Sequence, residues 1–411
     1  MRELGRQAAR SSAWVIGNNI LAGLASFFAQ IWFARVLGVA EIGRYAVVIV
    51  AIDLTLGLMD FGFNRAVIRG RNIPKLFNGA LALILFQSVA FFVSAGVIFA
   101  LHYLLGFEGT YFYLVGTILI VGRALGLFAS LGWSPVEADL QYRALSTARS
   151  IAALVAIGSA IAFVLAGAGI AGLAVRDIVY PLVLLVALRL YCWRRFVPNF
   201  ARDAIMPVWG FSRGVWTLNV LERSAIRLDY ALVGSALGVE ILGIYFQVRA
   251  LMEGVLSFIA TPIQTVLYAF YCRTQVLLET ARRNVLRWAA AVSIGALLSI
   301  AIILVPFGEK LLTSVLGSEW AEGANLLGGF AVYFWAMIYF ENLKSLAMAQ
   351  ALHAKAMWGR VAQILIVGVF MVPLIKLMGL AGAGLVAGLA AIALVVTATI
   401  TVFRTKEPIV A

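Results

Sequence analysis

Long apolar runs fill this sequence and limit what the chain can fold into. About 20 apolar residues cross roughly 30 Å of hydrocarbon as a helix, and the sequence divides into twelve such runs. Its charged fraction is 12%, against about a quarter in a typical soluble domain. We therefore predict an all-α polytopic membrane protein with about twelve transmembrane helices and short loops. The runs lie near 12–34, 44–60, 77–101, 111–131, 146–166, 170–192, 211–235, 239–271, 285–306, 323–347, 361–378 and 382–403.

The basic residues are unevenly distributed among the loops. The chain has 32 Lys and Arg residues and a net charge of +13. With both termini in the cytoplasm, most of these cations fall in the even-numbered loops and the tails, which is the positive-inside pattern. We therefore expect both termini to be cytoplasmic and the charge to reflect topology and anionic lipid headgroups, with no nucleic-acid partner. We expect no metal site, because His102 and His353 have no companions at ligand spacing.

Three short phrases recur in the two halves of the chain. VLGVAEIGRY at 36–45 returns as ALGVEILGIY at 236–245, GIAG at 169–172 returns as GLAG at 379–382, and LQYRAL at 140–145 returns more weakly as LHAKAM at 352–357. Each pair falls in equivalent loops at a nearly constant offset. We predict a duplicated six-helix unit, with an N-terminal lobe at 1–205 and a C-terminal lobe at 206–411. Because six is even, the lobes are predicted to be parallel repeats about an axis along the membrane normal, with a substrate seam between them.

Ionisable residues are concentrated in the seventh run, NVLERSAIRLDY. Charges at the centre of a membrane helix cost at least about 2.5 kcal/mol each, so they are functional candidates. Arg223 lies roughly 18 Å from the inner end of this helix, with Arg227 one turn further on and Asn219 on the same face. These three residues are candidates to bind an anionic substrate group. Glu222 and Asp229 are candidates to bind a coupling ion, although charge balance explains them equally well.

Four more charged residues fall near the midplane. Arg249 in the eighth run is a further anion-binding candidate, but it can also pair with Glu253, four residues on. Asp53 and Arg123 lie at similar depth in the first half, where a buried ion pair is the simplest account. If Arg123 instead faces the seam, it adds a further positive charge there. Asp53 and Glu253 are also candidates for ion coupling.

Several stretches resemble the polysaccharide transporter branch of the MOP (multidrug/oligosaccharidyl-lipid/polysaccharide) superfamily. The likeness runs through nearly the whole chain in spacing and order, and its motifs are signatures of fold. They are ARVLGVAEIGRY, MDFGFNRAVIR, RLDYALVGSALGVEILGIYFQVRAL and LLTSVLGSEWAEGANLL. The resemblance implies a MATE-like, two-lobed flippase of the Wzx type in the bacterial inner membrane, multi-pass and without enzymatic activity.

The resemblance also implies a substrate and partners. An undecaprenyl-diphosphate-linked oligosaccharide would move from the cytoplasmic to the periplasmic leaflet by alternating access, for lipopolysaccharide O-antigen, capsule or exopolysaccharide biosynthesis. An H⁺ or Na⁺ gradient would drive the cycle without any cofactor. Membrane lipids surround the protein, and a polysaccharide polymerase and a chain-length regulator would be partners.

Two other functions remain open from the sequence. A multidrug or metabolite cation antiporter of the same fold is the near alternative, and it would be expected to place acidic and aromatic residues in its cavity. A membrane-embedded polysaccharide polymerase or glycosyltransferase is the distant one. Such enzymes generally need a sizeable loop for catalytic groups, and this chain has none.

Overall fold

The computed structural model describes residues 2–69, 74–104, 109–139, 141–191, 197–255, 306–349 and 353–403, and the regular secondary structure within them is helical. The ninth predicted run, most of the second half of the eighth, and both cysteines fall outside these residues. Within these residues, seven continuous helical stretches are long and apolar enough to cross a membrane, one of which combines α5 and α6 below. The helices are α1 (Arg2–Met59), α2 (Phe63–Arg69), α3 (Pro74–Leu104), α4 (Thr110–Ala138), α5 (Tyr142–Phe163), α6 (Gly169–Tyr191), α7 (Arg202–Leu237), α8 (239–255), α9 (306–315), α10 (Ala324–Ala349), α11 (His353–Ala356), α12 (Trp358–Met378) and α13 (Leu380–Phe403).

The first two predicted helices are joined by a single non-helical residue. We expected a turn across 35–43, but α1 is interrupted only at Gly38, whose φ of 73° and ψ of 177° lie outside the helical region. Gly238 occupies the matching position between α7 and α8 and also has a positive φ, of 88°. A side chain with a Cβ rarely adopts such a φ, so glycine suits both breaks.

A second repeated phrase has the same backbone in both copies. Gly169, at the start of α6, has φ 52° and ψ −134°, and Gly379, between α12 and α13, has φ 58° and ψ −137°. The two copies of the phrase therefore share an unusual backbone conformation, and the duplication of a six-helix unit stays a prediction.

The described chain divides into two compact units. The first comprises Met1–Phe33 and Val48–Val220, and the second Ala34–Val47 and Leu221–Ala411. The first unit has apolar clusters around Phe63, Leu131 and Trp133. The core of the second unit is built by α10 and α13, around Phe340 and Leu394. The lobe boundary at residues 205 and 206 stays a prediction from the repeats.

The start of α7 belongs to the first unit. Lys75 Nζ donates to Asp203 Oδ2 over 3.0 Å, and this hydrogen bond lowers the pKa of the exposed Asp203 carboxyl. A Cβ on Gly79 would overlap the backbone of Ala204, so only glycine permits this approach of α3 to α7. The helix therefore begins nine residues before the predicted run, on an amphipathic stretch docked to α3.

The two copies of the first repeated phrase pack on each other within the second unit. A Cβ on Gly43 would overlap the carbonyl oxygen of Val239, and a Cβ on Gly243 would overlap the carbonyl oxygen of Val39. The contact is therefore reciprocal, and it requires glycine on both sides. Tyr45 recurs as Tyr245 in the second copy of the phrase, and its side chain is buried at 1% exposure.

Candidate functional site

The second unit holds a buried network that we call the Asp229 cluster. Asp229, on α7, accepts three hydrogen bonds: its Oδ1 from the backbone N–H of Tyr230 at 2.9 Å, and its Oδ2 from the Tyr245 hydroxyl at 2.7 Å and from Arg249 Nη1. Buried carboxylates persist when they are paired and hydrogen-bonded in this way. The members of the cluster are Asp229, Tyr230, Tyr245, Arg249, Glu253 and Tyr333.

Arg249 is engaged on all sides of its guanidinium. Its Nε donates to Glu253 Oε1 over 2.9 Å, and its Nη2 donates to the Tyr333 hydroxyl over 3.0 Å. The Arg249 Cζ lies 4.9 Å from the ring centroids of both Tyr230 and Tyr333. The residue is 1% exposed. The pairing with Glu253 that the sequence offered as an alternative is present, and an anion would reach Arg249 only by displacing one of these partners.

A second group of charges, the Lys344 cluster, joins α7 to α10 and α12. Lys344 Nζ lies 2.7 Å from Glu222 Oε1 and 3.9 Å from Glu341 Oε1. Arg360 Nη2 lies 4.0 Å from the same Glu222 oxygen and 3.9 Å from the same Glu341 oxygen. Each of the two cations therefore lies within ion-pair distance of both carboxylates.

Exposure differs among the members of the Lys344 cluster. Arg360 is 1% exposed, donates through Nη1 to Gln363 Oε1 over 2.8 Å, and lies over the Phe340 ring with its Cζ 4.7 Å from the centroid. Its buried Nε has no hydrogen-bond partner among the described residues. The side chains of Lys344, Glu222 and Glu341 are between 22% and 30% exposed. The Lys344 side chain is therefore more accessible than that of Arg360.

The other candidates on α7 occupy different surroundings. Arg223 and Arg227 are half-buried, one turn apart, and neither is without a partner. The Arg227 Cζ lies 5.4 Å from the centroid of the Tyr230 ring, which also contacts Arg249. Asn219 lies in the first unit, is 6% exposed, and donates through Nδ2 to the carbonyl oxygen of Asp60 over 3.1 Å. The asparagine therefore stabilises the chain reversal after α1.

The first unit contains the ion pair expected between Asp53 and Arg123. Arg123 Nη2 lies 3.0 Å from Asp53 Oδ1, and Arg123 Nη1 lies 3.6 Å from Asp177 Oδ1. The two carboxylates are mostly buried, with side-chain exposures of 2% and 12%, but the Arg123 side chain remains 30% exposed. This arginine links α1, α4 and α6.

The sequence interpretation missed three members of the Lys344 cluster. Glu341 and Lys344 stand three residues apart inside the tenth apolar run, a signal as strong as that of the seventh run. Arg360 precedes the eleventh run by one residue and was assigned to a loop, whereas α12 begins at Trp358 and buries it. The sequence also does not indicate the contact of Asp177 with Arg123, because the two residues lie on different helices and no spacing rule relates them.

Comparison with known proteins gives a family and a fold. A family model described as polysaccharide biosynthesis protein matches residues 32–325. No curated protein sequence matches significantly. Among solved structures, the lipid II flippase MurJ in an inward closed conformation is similar with a TM-score of 0.76 and 12% identity, over 97% of this chain and 88% of that one.

Two further structures share the fold. A MOP superfamily transporter from Pyrococcus furiosus has a TM-score of 0.67 and 16% identity, over 97% of this chain and 96% of that one. A multidrug resistance MATE family transporter in an inward-facing conformation has a TM-score of 0.65 and 15% identity, over 94% of this chain and 96% of that one. The chain thus has the fold of MOP superfamily transporters.

Proposed function

Because the chain belongs to the polysaccharide biosynthesis protein family, we propose that it is a flippase for polyprenyl-diphosphate-linked oligosaccharides. The substrate would move from the cytoplasmic to the periplasmic leaflet of a bacterial inner membrane, to supply O-antigen, capsule or exopolysaccharide assembly. A sugar diphosphate cannot cross hydrocarbon alone, because desolvating its charges is too costly. A two-lobed protein of about twelve helices can supply a polar path while the polyprenyl tail stays in lipid.

The observation that carries the proposal is the set of arginines and lysines held inside membrane helices in a chain of this family. Arg123, Lys344 and the two α7 arginines, Arg223 and Arg227, are all partly accessible to solvent. Guanidinium groups bind phosphate oxygens in a two-pronged, charge-assisted way. The carboxylates that pair with Arg123 and Lys344 would be exchanged for the diphosphate when the substrate binds.

An ion gradient is the proposed energy source, with H⁺ or Na⁺ as the ion. Among the candidate acids, Asp53 and Asp229 are buried in tight pairs, at 2% and 4% exposure. Glu222 and Glu253 are more accessible, with side-chain exposures of 30% and 40%. An ion arriving from water would therefore meet these two glutamates first. Binding there would weaken the hold of Glu222 on Lys344 or of Glu253 on Arg249.

A cation antiporter of the same fold is the second candidate, favoured by the likeness to a multidrug MATE transporter. Such a transporter would use carboxylates to bind organic cations. The two acids of the seventh run are instead paired, Glu222 with Lys344 and Asp229 with Arg249. A cationic drug would therefore have to displace Lys344 or Arg249 before it could bind either of these acids.

The proposal is tested by replacing the two α7 arginines together. We expect Arg223→Ala with Arg227→Ala to abolish surface polysaccharide in cells whose chromosomal copy is deleted, while the protein still reaches the membrane. The matched control is Arg202→Ala with Arg213→Ala, which removes two exposed arginines from the same helix. Full polysaccharide production by the first double variant would contradict the role given to the arginines.

A further inference from the structure

An open cavity of about 590 Å³ lies in the first unit. It is formed where the end of α4, the start of α5 and the end of α6 meet, which the sequence predicts to be the cytoplasmic side. Its size falls within the usual range of ligand pockets, about 300–1,000 Å³. Its lining includes Trp133, Gln141, Arg143, Thr147, Ile151 and Tyr191.

Arg143 supplies this cavity with a positive charge. Its Cζ lies 4.8 Å from the centroid of the Trp14 ring, and Trp14 is held there by a hydrogen bond of 3.0 Å from its Nε1 to Thr147 Oγ1. Among the described residues, no carboxylate lies within ion-pair distance of Arg143. Arg149, on the same helix, is different, because its Nη2 lies 3.8 Å from Glu137 Oε2.

The cavity is aromatic and apolar below this charge. The Trp133 ring stacks on the Tyr191 ring with their centroids 6.0 Å apart, and the Tyr191 hydroxyl donates to Gln141 Oε1 over 2.6 Å. From Ile151, which lines the cavity, an apolar stripe continues along α5 towards the membrane interior. Its residues are Ile151, Leu154 and Val155, which are 52%, 41% and 46% exposed. Residues at this spacing share one face of a helix.

We propose that this cavity binds an anionic phospholipid of the surrounding leaflet. The phosphate binds the Arg143 guanidinium, the headgroup occupies the aromatic cavity, and an acyl chain lies along the α5 stripe. Basic pockets at the cytoplasmic ends of membrane helices are suited to anionic headgroups. A bilayer lipid is favoured over a soluble anion because the cavity opens directly onto an exposed apolar surface that only a lipid chain would cover.

The test measures the thermal stability of the purified full-length protein in detergent with added lipid. We expect phosphatidylglycerol to raise the Tm and phosphatidylcholine at the same concentration to have a much smaller effect, since a ligand that binds the native state stabilises it. Arg143→Ala should lose most of the phosphatidylglycerol shift, and Arg149→Ala should keep it. The variant Ile151→Trp fills part of the cavity and keeps the arginine, and it should also lose the phosphatidylglycerol shift.

Each other outcome overturns the proposal. Equal shifts for both lipids, or an Arg143→Ala protein with the full shift, would show that no headgroup binds Arg143. If Arg143→Ala fails to fold, a full shift with Ile151→Trp is the contradicting result. A shift from inorganic phosphate alone would identify a soluble anion, and one from undecaprenyl diphosphate but not phosphatidylglycerol would identify the flippase substrate.

Discussion

Arg249 shows how a guanidinium is kept inside this protein. Two carboxylates, a tyrosine hydroxyl and two aromatic rings surround it, so its positive charge is compensated in every direction. Buried charges of this kind are strongly dependent on their partners, because removal of one partner leaves the other uncompensated. Arg123 and Lys344 are less enclosed, with side-chain exposures of 30% and 24%.

Asp229→Asn is predicted to destabilise the protein strongly. The substitution removes the negative charge opposite Arg249, and breaking a buried ion pair in this way costs about 3–5 kcal/mol. The control is Glu41→Gln, which breaks the pair with the exposed Arg44 side chain and should cost about 0–1 kcal/mol. Thermal unfolding of the purified proteins in detergent measures both, and equal melting temperatures would contradict the assignment.

At the level of single residues, the sequence was informative where partners are close in the chain or alike in depth. The four-residue spacing indicates the pair Arg249 and Glu253, and similar depth indicates Asp53 and Arg123. It was uninformative where the partner lies far along the chain, as for Glu222 with Lys344. It was equally uninformative where no spacing rule applies, as for Asp229 with Tyr245, 16 residues on. Such partners are fixed by packing, which the hydrophobic pattern of a uniformly apolar helix does not encode.

Helix α7 combines two roles in one element. Its first part packs on the first unit, where Trp216 Nε1 donates to the carbonyl oxygen of Leu58 over 2.7 Å. Its second part carries Glu222 and Asp229 into the charged clusters of the second unit. The apolar runs predicted most helices to within a few residues. They did not predict the start of α7, because its first turns are amphipathic and stabilised by docking to α3.

The reciprocal glycine contact gives a prediction for the repeated phrase. In Gly243→Ala, the added methyl would overlap the backbone of Gly43 and Val39. Overpacking of a close contact typically costs about 1–3 kcal/mol, so we expect a lower melting temperature and reduced surface polysaccharide. Gly328→Ala is the control, since its Cβ would meet nothing within 4 Å. An unchanged Gly243→Ala protein would show that the two copies are not tightly packed.

The orientation of the helices is a separate prediction. The positive-inside pattern places the loop between α3 and α4 in the periplasm and the loop between α6 and α7 in the cytoplasm. An alkaline phosphatase fusion at Gly109 should therefore be active and one at Asn199 inactive. Green fluorescent protein fusions at the same positions should give the complementary result. The reverse pattern would overturn the assigned topology, together with the cytoplasmic location of the Arg143 cavity.

At the scale of the whole molecule, the sequence predicts a duplicated chain and the proposed function is transport. Gly169 and Gly379, in two copies of one repeated phrase, have near-identical backbone angles, and the fold is that of MOP superfamily transporters. Under the proposed function, alternating access would expose a substrate first to one leaflet and then to the other. The partly exposed cations would hold a diphosphate during that exchange.

The most direct test is a transbilayer assay with the purified protein in liposomes. A polyprenyl-diphosphate-linked oligosaccharide is placed in both leaflets, and a membrane-impermeant glycosidase reports how much reaches the outer one under an imposed H⁺ or Na⁺ gradient. We predict that the wild-type protein exposes the inner-leaflet pool, whereas the Arg223→Ala, Arg227→Ala variant leaves it protected, as in protein-free liposomes. The contradicting result is an inner-leaflet pool that stays protected from the glycosidase with the wild-type protein, while the same preparation transports an organic cation such as ethidium.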